Sequence, residues 1–188
     1  MKELEQKILK DGKILGKDIL KVGSFLNQQV DTILLEKMAK ETKRLFPEEI
    51  TKVLTIEASG IPFACAVALE LKVPFVFAKK SKTSNVSGDV VTSVVHSFTH
   101  NEDNIINVSR EYIKESDKVL IVDDFLANGE ALRGLIDIVN QCNATLVGCC
   151  VQIEKEYQNG GNALRKQGYK VIPLASIKDM TSNIIHFN

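Results

Sequence analysis

Two adjacent carboxylates, Asp123 and Asp124, directly follow an apolar run at residues 119–122. Such a short, wholly apolar run predicts a strand buried on both faces, as in a parallel sheet covered by helices. Neighbouring carboxylates disfavour each other's charged form, so a chain accepts them where a cation or a hydroxyl-rich ligand offsets the cost. The turn at 127–131 then offers backbone N–H groups at the start of a predicted helix, which suits a phosphate. Acids for hydroxyls beside amides for phosphate predict a site for a phosphorylated sugar.

Two further strand ends carry small, polar or charged residues. Residues 57–60 read Glu-Ala-Ser-Gly after one predicted strand, and residues 154–156 read Glu-Lys-Glu after another. In open α/β sheets, ligands bind beyond the carboxyl ends of the strands. If the three strands are parallel neighbours, both segments meet the acidic pair at one edge of the sheet. We therefore expect one composite site there.

The elements that must position these residues alternate between strand and helix patterns. This alternation predicts an α/β fold with a doubly wound, mainly parallel sheet. The predicted strands are 52–56, 73–78, 90–98, 105–108, 119–124, 144–153 and 169–172, and the predicted helices are 1–11, 31–46, 62–71, 130–142 and 160–167. Asp31 is the expected N-cap of the second helix, and Pro62 marks the start of the third. We expect a loop at 79–89 and a polar tail after residue 172.

Composition excludes several classes of function. Lysine plus arginine and aspartate plus glutamate number 24 each, so no net charge attracts nucleic acid, and we expect no nucleic-acid partner. No apolar run approaches ~20 residues and the charged start lacks the apolar core of a signal peptide, so we expect no membrane association and a cytoplasmic location. The four cysteines lack Cys-x-x-Cys spacing and lie in apolar segments, which favours buried reduced thiols.

The segment 119–131, Val-Leu-Ile-Val-Asp-Asp-Phe-Leu-Ala-Asn-Gly-Glu-Ala, resembles the phosphoribosyl-pyrophosphate (PRPP) signature of the type I phosphoribosyltransferases. Most members have threonine-rich turns, and the turn found here is similar to that of the bacterial xanthine branch. Residues 19–29 are similar to the base-covering hood of that branch, and residues 153–155 are similar to its late strand end. The resemblance covers essentially the whole chain. It implies a purine-salvage enzyme that transfers the 5-phosphoribosyl group from PRPP to xanthine, giving xanthosine 5-monophosphate and pyrophosphate.

The resemblance also implies a role for each residue that bears on PRPP. Asp123 and Asp124 would be catalytic residues that hold the ribose hydroxyls, and Lys80 would begin a mobile catalytic loop at 79–89. The 5-phosphate and pyrophosphate would be bound by Ala127, Asn128, Gly129, Glu130, Ala131, Ser59 and Gly60. Mg²⁺ would arrive with PRPP, and no side chain would hold it alone, although Asp123 and Asp124 are the candidate ligands.

At the base, the resemblance implies contacts from Asn27 and from Leu20, with Lys155 donating to a base oxygen. Leu20 would supply only apolar cover or a backbone contact. A cationic donor and an amide suit the oxo groups of xanthine better than the amine of adenine. The resemblance further implies a single domain over 1–188, with a small hood formed mainly by about 1–35, and a homodimer. His96 and His100 flank a strand end, and we assign them no role.

Alternatives remain for both residues and function. Asp124 could merely begin a turn while Asp123 is solvated. Asn128 and Ser59 could cap helices, and Lys155 could be a solvated charge. The chain could be a PRPP-sensing purine regulator of the same fold, although only about 50 residues precede the first core strand. It could also be a receiver-like module that holds Mg²⁺, or a transferase for guanine, hypoxanthine or adenine.

Overall fold

The computed structural model describes residues 1–16, 18–81, 89–97, 102–181 and 184–188. Within these ranges the helices are α1 (Lys2–Asp11), α2 (Thr32–Leu45), α3 (Ile61–Leu71), α4 (Glu130–Gln141) and α5 (Gly160–Lys166). The strands are β1 (Lys13–Leu15), β2 (Ile19–Lys21), β3 (Lys52–Ile56), β4 (Phe75–Ser81), β5 (Val90–Ser97), β6 (Glu102–Ser109), β7 (Lys118–Leu126), β8 (Thr145–Lys155), β9 (Val171–Asp179) and β10 (His186–Phe187). This order confirms the predicted alternation of strands and helices.

Eight of the strands form one sheet in the order β10-β9-β8-β7-β3-β4-β6-β5. The five strands from β9 to β4 are parallel, whereas β10, β6 and β5 are antiparallel additions at the two edges. The prediction of a mainly parallel α/β sheet is therefore confirmed. Because β8, β7 and β3 are direct neighbours, their carboxyl ends lie side by side, as the composite site requires.

Both faces of the central strand β7 are buried. Leu120 and Val122 pack with α2 and α3 on one face. Val119 and Ile121 pack with the apolar side of α4 on the other. This two-sided burial explains why the run at 119–122 is wholly apolar rather than alternating.

Apolar side chains of the N-terminal segment pack onto the face that α2 and α3 cover. β1 and β2 form a separate antiparallel hairpin, and α1 contacts β9. Leu4, Ile8 and Phe25 are nearly inaccessible and belong to the same apolar core as α3. The division of the chain into a hood at about 1–35 and a single larger domain stays a prediction.

Helix starts follow the local signals only in part. Asp31 is the N-cap of α2, and its carboxylate accepts a hydrogen bond from the amide of Leu34 at 3.1 Å, as predicted. Pro62 stands in the first turn of α3. The residues before α3 and α4 are Gly60 and Gly129, and among the described residues no side chain caps either helix. Helix capping by Ser59 or Asn128 is therefore wrong.

β4 and β9 run well past the ends that the sequence pattern indicated. β4 continues through Lys79 and Lys80 to Ser81, because β6 pairs with this stretch. Residues 79–81 of the predicted loop are therefore strand, and residues 82–88 lie outside the described residues, as does His100; the side chain of His96 is also outside them. β9 continues to Asp179 and buries Leu174 and Ile177, so the prediction of a polar tail after residue 172 is wrong.

The cysteines and the lengths of the helices can be compared with the expectations from composition. The four cysteines are free, with Cys142, Cys149 and Cys150 buried and Cys65 partly exposed. Burial raises the pKa of the Cys149 and Cys150 thiols to about 12, which favours the inert thiol form. Across the part of the chain that the structure describes, no helix combines the length and apolar character needed to span a membrane.

Candidate active site at the carboxyl edge of the sheet

A cavity of about 500 Å³ opens where β3, β7 and β8 end. Its walls come from the three strand ends, the turn before α4, and the β1–β2 hairpin. Of the residues predicted to form a site, the cavity is lined by Ser59, Lys80, Asp123, Asp124, Ala127, Asn128, Gly129, Glu130, Ala131 and Lys155. Three separate sequence motifs thus face one space, as expected for neighbouring parallel strands.

The acidic pair lies within β7 rather than in the turn beyond it. Asp123 and Asp124 are only 4% and 8% exposed, so neither is a solvated turn residue. The Asp124 N–H donates to Oδ1 of Asp123 at 2.9 Å. Burial, and secondly the neighbouring charge of Asp124, raise the pKa of Asp123 well above its usual range, while the more distant Lys80 opposes this effect. A ligand that donates hydrogen bonds or brings positive charge would relieve this cost.

The turn before α4 presents backbone amides to the cavity. Gly129 has φ of 88°, a left-handed conformation that a glycine adopts readily, and α4 begins at the next residue. N–H groups at a helix start attract anions. The Glu130 carboxylate at this start is paired with Arg133 at 2.6 Å, and the same Nη1 of Arg133 donates to the carbonyl of Asn128 at 2.9 Å.

Sequence reasoning missed Arg133. Its spacing of three residues from Glu130 on a predicted helix was the available signal, since side chains at i and i+3 are neighbours. In the structure, Arg133 neutralises the only side-chain carboxylate of the 127–131 turn and fixes one of its carbonyls. Both contacts favour phosphate binding at the turn, because one offsets a negative charge and the other fixes the backbone.

The segment after β3 forms the adjacent wall. Residues Glu57 and Ala58 are joined by a cis peptide bond, and Glu57 accepts a hydrogen bond from the Lys80 amide at 2.5 Å. A methyl group built on Gly60 would lie 2.9 Å from Oδ1 of Asp123 and would clash with the hydroxyl of Thr55. Only glycine allows the start of α3 to approach the acidic pair this closely.

Lys80 reaches the cavity from β4, not from a loop. Its backbone is paired with Ile106 of β6. The ammonium therefore extends from a strand that the sheet holds in place. A catalytic role for Lys80 stays a prediction.

Lys155 lies at the last position of β8. Its ammonium donates to the backbone carbonyl of Asp18 at 2.5 Å and lies 5.8 Å from the centroid of the Phe125 ring. Burial lowers the pKa of Lys155, and the charge of Asp18 partly opposes this effect. The lysine is therefore held in the cavity wall rather than freely solvated, and it ties the late strand end to the N-terminal hairpin.

Asn27 and Leu20, the two other residues predicted to contact the base, have different surroundings in the structure. Asn27 donates its side-chain amide to Oδ2 of Asp124 at 3.2 Å, which brings it to the acidic pair. Leu20 is 6% exposed and packs in the core, whereas its neighbour Ile19 is 58% exposed and lines the cavity. Apolar cover from β2 therefore falls to Ile19, and a backbone contact by Leu20 stays a prediction. In a strand of three residues, the sequence pattern does not show which side chain faces the core and which faces the cavity.

The donor set at this edge suits Mg²⁺ that shares its ligands with a substrate. Among the described residues no group of three or more His, Cys, Asp or Glu side chains converges on one point. Asp123 and Asp124 supply carboxylate oxygens, and Mg²⁺ commonly takes one or two carboxylates together with waters and phosphate oxygens. The residues present therefore fit a magnesium ion that arrives with a diphosphate.

Comparison with known proteins agrees with this geometry. The family model described as the phosphoribosyl transferase domain matches residues 22–185. The chain is 47% identical to xanthine phosphoribosyltransferases of Bacillus cereus and Bacillus anthracis, over 100% of this chain and 95% of each relative.

Solved structures show the same fold at lower identity. The adenine phosphoribosyltransferase of Trypanosoma brucei, in complex with AMP, pyrophosphate and ribose-5-phosphate, superposes with a TM-score of 0.76 at 19% identity, over 92% of this chain and 79% of that one. The Saccharomyces cerevisiae enzyme gives a TM-score of 0.73 at 21% identity, over 93% and 99%. At these identities the likeness concerns the fold alone.

Proposed function

Because the chain belongs to the phosphoribosyl transferase family, we propose that it is a purine-salvage enzyme that transfers the 5-phosphoribosyl group from PRPP to xanthine. The products are xanthosine 5-monophosphate and pyrophosphate. The choice of xanthine rests on curated relatives that are 47% identical over the whole chain. One structural observation supports the assignment most strongly: the acidic pair, the amide turn and Lys155 line one cavity.

In this proposal the two ends of the cavity bind different parts of the substrates. Asp123 and Asp124 accept hydrogen bonds from the ribose 2- and 3-hydroxyls, and the amides of the 127–131 turn hold the 5-phosphate. Ser59 and Gly60 face the pyrophosphate, whose negative charge Lys80 offsets. Their place beside the acidic pair is what supports these roles.

The base end is proposed to lie between Lys155 and Asn27. A lysine ammonium donates to oxo groups, and xanthine carries two of them, at positions 2 and 6. Ile19 supplies apolar cover for one face of the ring, in place of the Leu20 side chain. Lys155 is partly buried, and a hydrogen bond from a desolvated ammonium is stronger than one in water.

The chemical step is the departure of pyrophosphate from ribose C1, which leaves positive charge shared between C1 and the ring oxygen. The chain's contribution is positioning and charge management rather than a covalent intermediate. The paired carboxylates orient the ribose and place negative charge near the developing cation. Asp123 or Asp124 would hold Mg²⁺ when it is bound, and the ion would then supply charge neutralisation at the leaving group.

The deciding experiment incubates the purified protein with PRPP, Mg²⁺ and each purine base in turn, and follows nucleotide formation by chromatography. We expect xanthine to give the highest kcat/KM. Faster turnover of guanine, hypoxanthine or adenine would contradict the base assignment. No turnover with any base would contradict the enzyme assignment, and specific DNA binding that responds to PRPP would then favour the regulator.

A homodimer and a cytoplasmic location belong to the same proposal. They rest on the family resemblance. Size-exclusion chromatography with light scattering tests the first, and cell fractionation tests the second. A monomer at micromolar concentration that is fully active would contradict the homodimer.

A further inference from the structure

The turn at 127–129 packs against a later segment, the start of α5. The Gly160 amide donates to the carbonyl of Ala127 at 3.1 Å. A methyl group built on Gly160 would lie 2.5 Å from the backbone nitrogen of Gly129, where ordinary van der Waals contact begins at 3.4 Å, and would clash with the Ala127 carbonyl. A methyl group on Gly129 would in turn meet Cα of Gly160 at 3.2 Å. The two glycines therefore permit a direct contact between backbones.

An ion pair between Arg165 and a buried carboxylate holds α5 in this place. Glu154 of β8 is 2% exposed, and its carboxylate accepts hydrogen bonds from Nη2 of Arg165 at 2.6 Å and from Nη1 at 3.3 Å. Nη1 also donates to the carbonyl of Val171 at 3.3 Å. A two-pronged pair of this kind fixes orientation as well as distance.

The other end of α5 meets the same carboxylate. A methyl group built on Gly161 would overlap Oε1 of Glu154, so the helix start lies directly on that side chain. Glu154 thus anchors α5 at its first turn through Gly161 and at its last turn through Arg165. Gly160, one residue before Gly161, is held against the turn as a result.

We propose that Gly160 is a positioning residue for the phosphate turn, and that the Glu154–Arg165 pair holds it there. The inference rests on the proposed function, because that proposal assigns the 5-phosphate to this turn. The backbone amides at 127–129 bind a phosphate only from the right place, and a displacement of about 1 Å can cost ~100-fold in rate. Gly160, Glu154 and Arg165 do not line the cavity, and Gly160 therefore acts through the turn that it contacts.

The primary test is Gly160→Ala. We expect the KM for PRPP and the Kd for ribose 5-phosphate, measured by calorimetry, to rise about 10- to 100-fold. The KM for xanthine should stay within about 2-fold of the wild-type value, because a loss of positioning at the turn does not reach the base. Lys166→Ala, an exposed change on the same helix, is the matched control and should alter neither.

If Gly160→Ala does not fold, variants of Arg165 test the same positioning of the phosphate turn. Arg165→Ala should raise the KM for PRPP more than that for xanthine, and Arg165→Lys, which keeps the charge without the fork, should restore part of the loss. Glu154 is left intact because its neighbour Lys155 is assigned to the base.

Three outcomes separate the inference from the proposed function. A folded Gly160→Ala protein with unchanged affinity for PRPP and ribose 5-phosphate would overturn the inference. So would Arg165 variants that change the KM values of both substrates equally. A wild-type protein that binds ribose 5-phosphate but forms no nucleotide would overturn the proposed function, while the Kd comparison would still decide the role of Gly160.

Discussion

The side-chain amide of Asn27 donates a hydrogen bond to Oδ2 of Asp124 across 3.2 Å, although the two residues are 97 positions apart in the chain. One belongs to the N-terminal segment that is proposed to cover the base, and the other to the acidic pair that is proposed to hold the ribose. The two binding regions therefore share a polar contact. A change at either residue should therefore alter the KM values of both substrates.

Asn27→Ala tests this link. We expect the KM for xanthine to rise about 5-fold, since one hydrogen bond contributes about 1 kcal/mol. The KM for PRPP should rise by a smaller factor, because Asp124 loses the partner that helps to orient it. Initial rates with each substrate varied in turn give both values. Gln29→Ala, an exposed change two residues away, is the control; unchanged KM values in Asn27→Ala would contradict the assignment.

Asp124→Asn probes the ribose contact directly. We expect kcat/KM for PRPP to fall at least ~100-fold, because a neutral amide cannot supply the negative charge that a developing cation needs. The free energy of unfolding should change by about 1 kcal/mol or less, since asparagine keeps the shape of the side chain that lines the cavity. Thermal unfolding and steady-state rates on the same preparation separate the two effects. Near-normal turnover would mean that the ribose is held elsewhere.

Lys155→Met keeps most of the side chain's length and removes its charge. A hydrogen bond from a charged donor contributes about 1.5–3 kcal/mol, so we expect kcat/KM for xanthine to fall about 10- to 100-fold. The ratio of kcat/KM for xanthine to that for adenine should fall with it, because adenine offers no oxo group to the ammonium. The exposed Lys178→Met on the neighbouring strand should leave the ratio unchanged. An unaltered ratio in Lys155→Met would remove the lysine from base recognition.

The sequence predicted most of the parallel sheet because its signals are local. A short apolar run with carboxylates at its end identified β7, and Asp31 identified the start of α2. The meeting of three strand ends followed from one rule about parallel sheets. The site's general composition was therefore accessible before the structure.

What the sequence could not supply depends on contacts between distant segments. Lys80 belongs to β4 only because β6 pairs with it, and no local pattern indicates that partner. The choice between Ile19 and Leu20 depends on which face of a three-residue strand meets the core. The contact between Gly160 and the 127–129 turn joins segments about 30 residues apart, and glycine spacing alone does not reveal it.

Asp117, just before β7, stabilises the end of the sheet opposite to the cavity. Burial acts to raise the pKa of Asp117, but hydrogen bonds from the Lys114 amide, Lys52 and Thr51 outweigh it and lower that pKa. Lys52 lies 2.9 Å away, and both side chains are 12% exposed. Asp117→Asn leaves the lysine without its partner, so we expect the free energy of unfolding to fall by about 3 kcal/mol.

The difference in stability between wild type and Asp117→Asn should decrease as the pH falls. A lowered folded-state pKa gives stability that is present above the unfolded pKa, about 3.9, and lost as pH falls through the folded value. The gap between wild type and Asp117→Asn in urea unfolding should therefore close in acid. KM values at neutral pH should not change. A gap that persists below both pKa values would contradict the charge argument.

Asp123, at the other end of β7, should show the opposite dependence. Its pKa is raised by burial and by the charge of Asp124. A raised pKa gives stability that is full below the unfolded value, about 3.9, and lost as pH rises through the folded value. Asp123→Asn removes the carboxylate that must ionise in a buried place, so the variant should be more stable than wild type at neutral pH. We expect this gain at neutral pH because the folded chain no longer has to hold a charged carboxylate in a buried place beside Asp124.

Activity should fall in Asp123→Asn although stability rises, because the same carboxylate is assigned to the ribose. We expect lower kcat together with a higher melting temperature, a trade-off typical of residues kept for function. Melting curves between pH 4 and 8 should show the advantage of the variant growing with pH. Asp137→Asn, an exposed change on α4, should show neither effect. Parallel melting temperatures at every pH would mean that Asp123 ionises as easily in the folded chain as in the unfolded one.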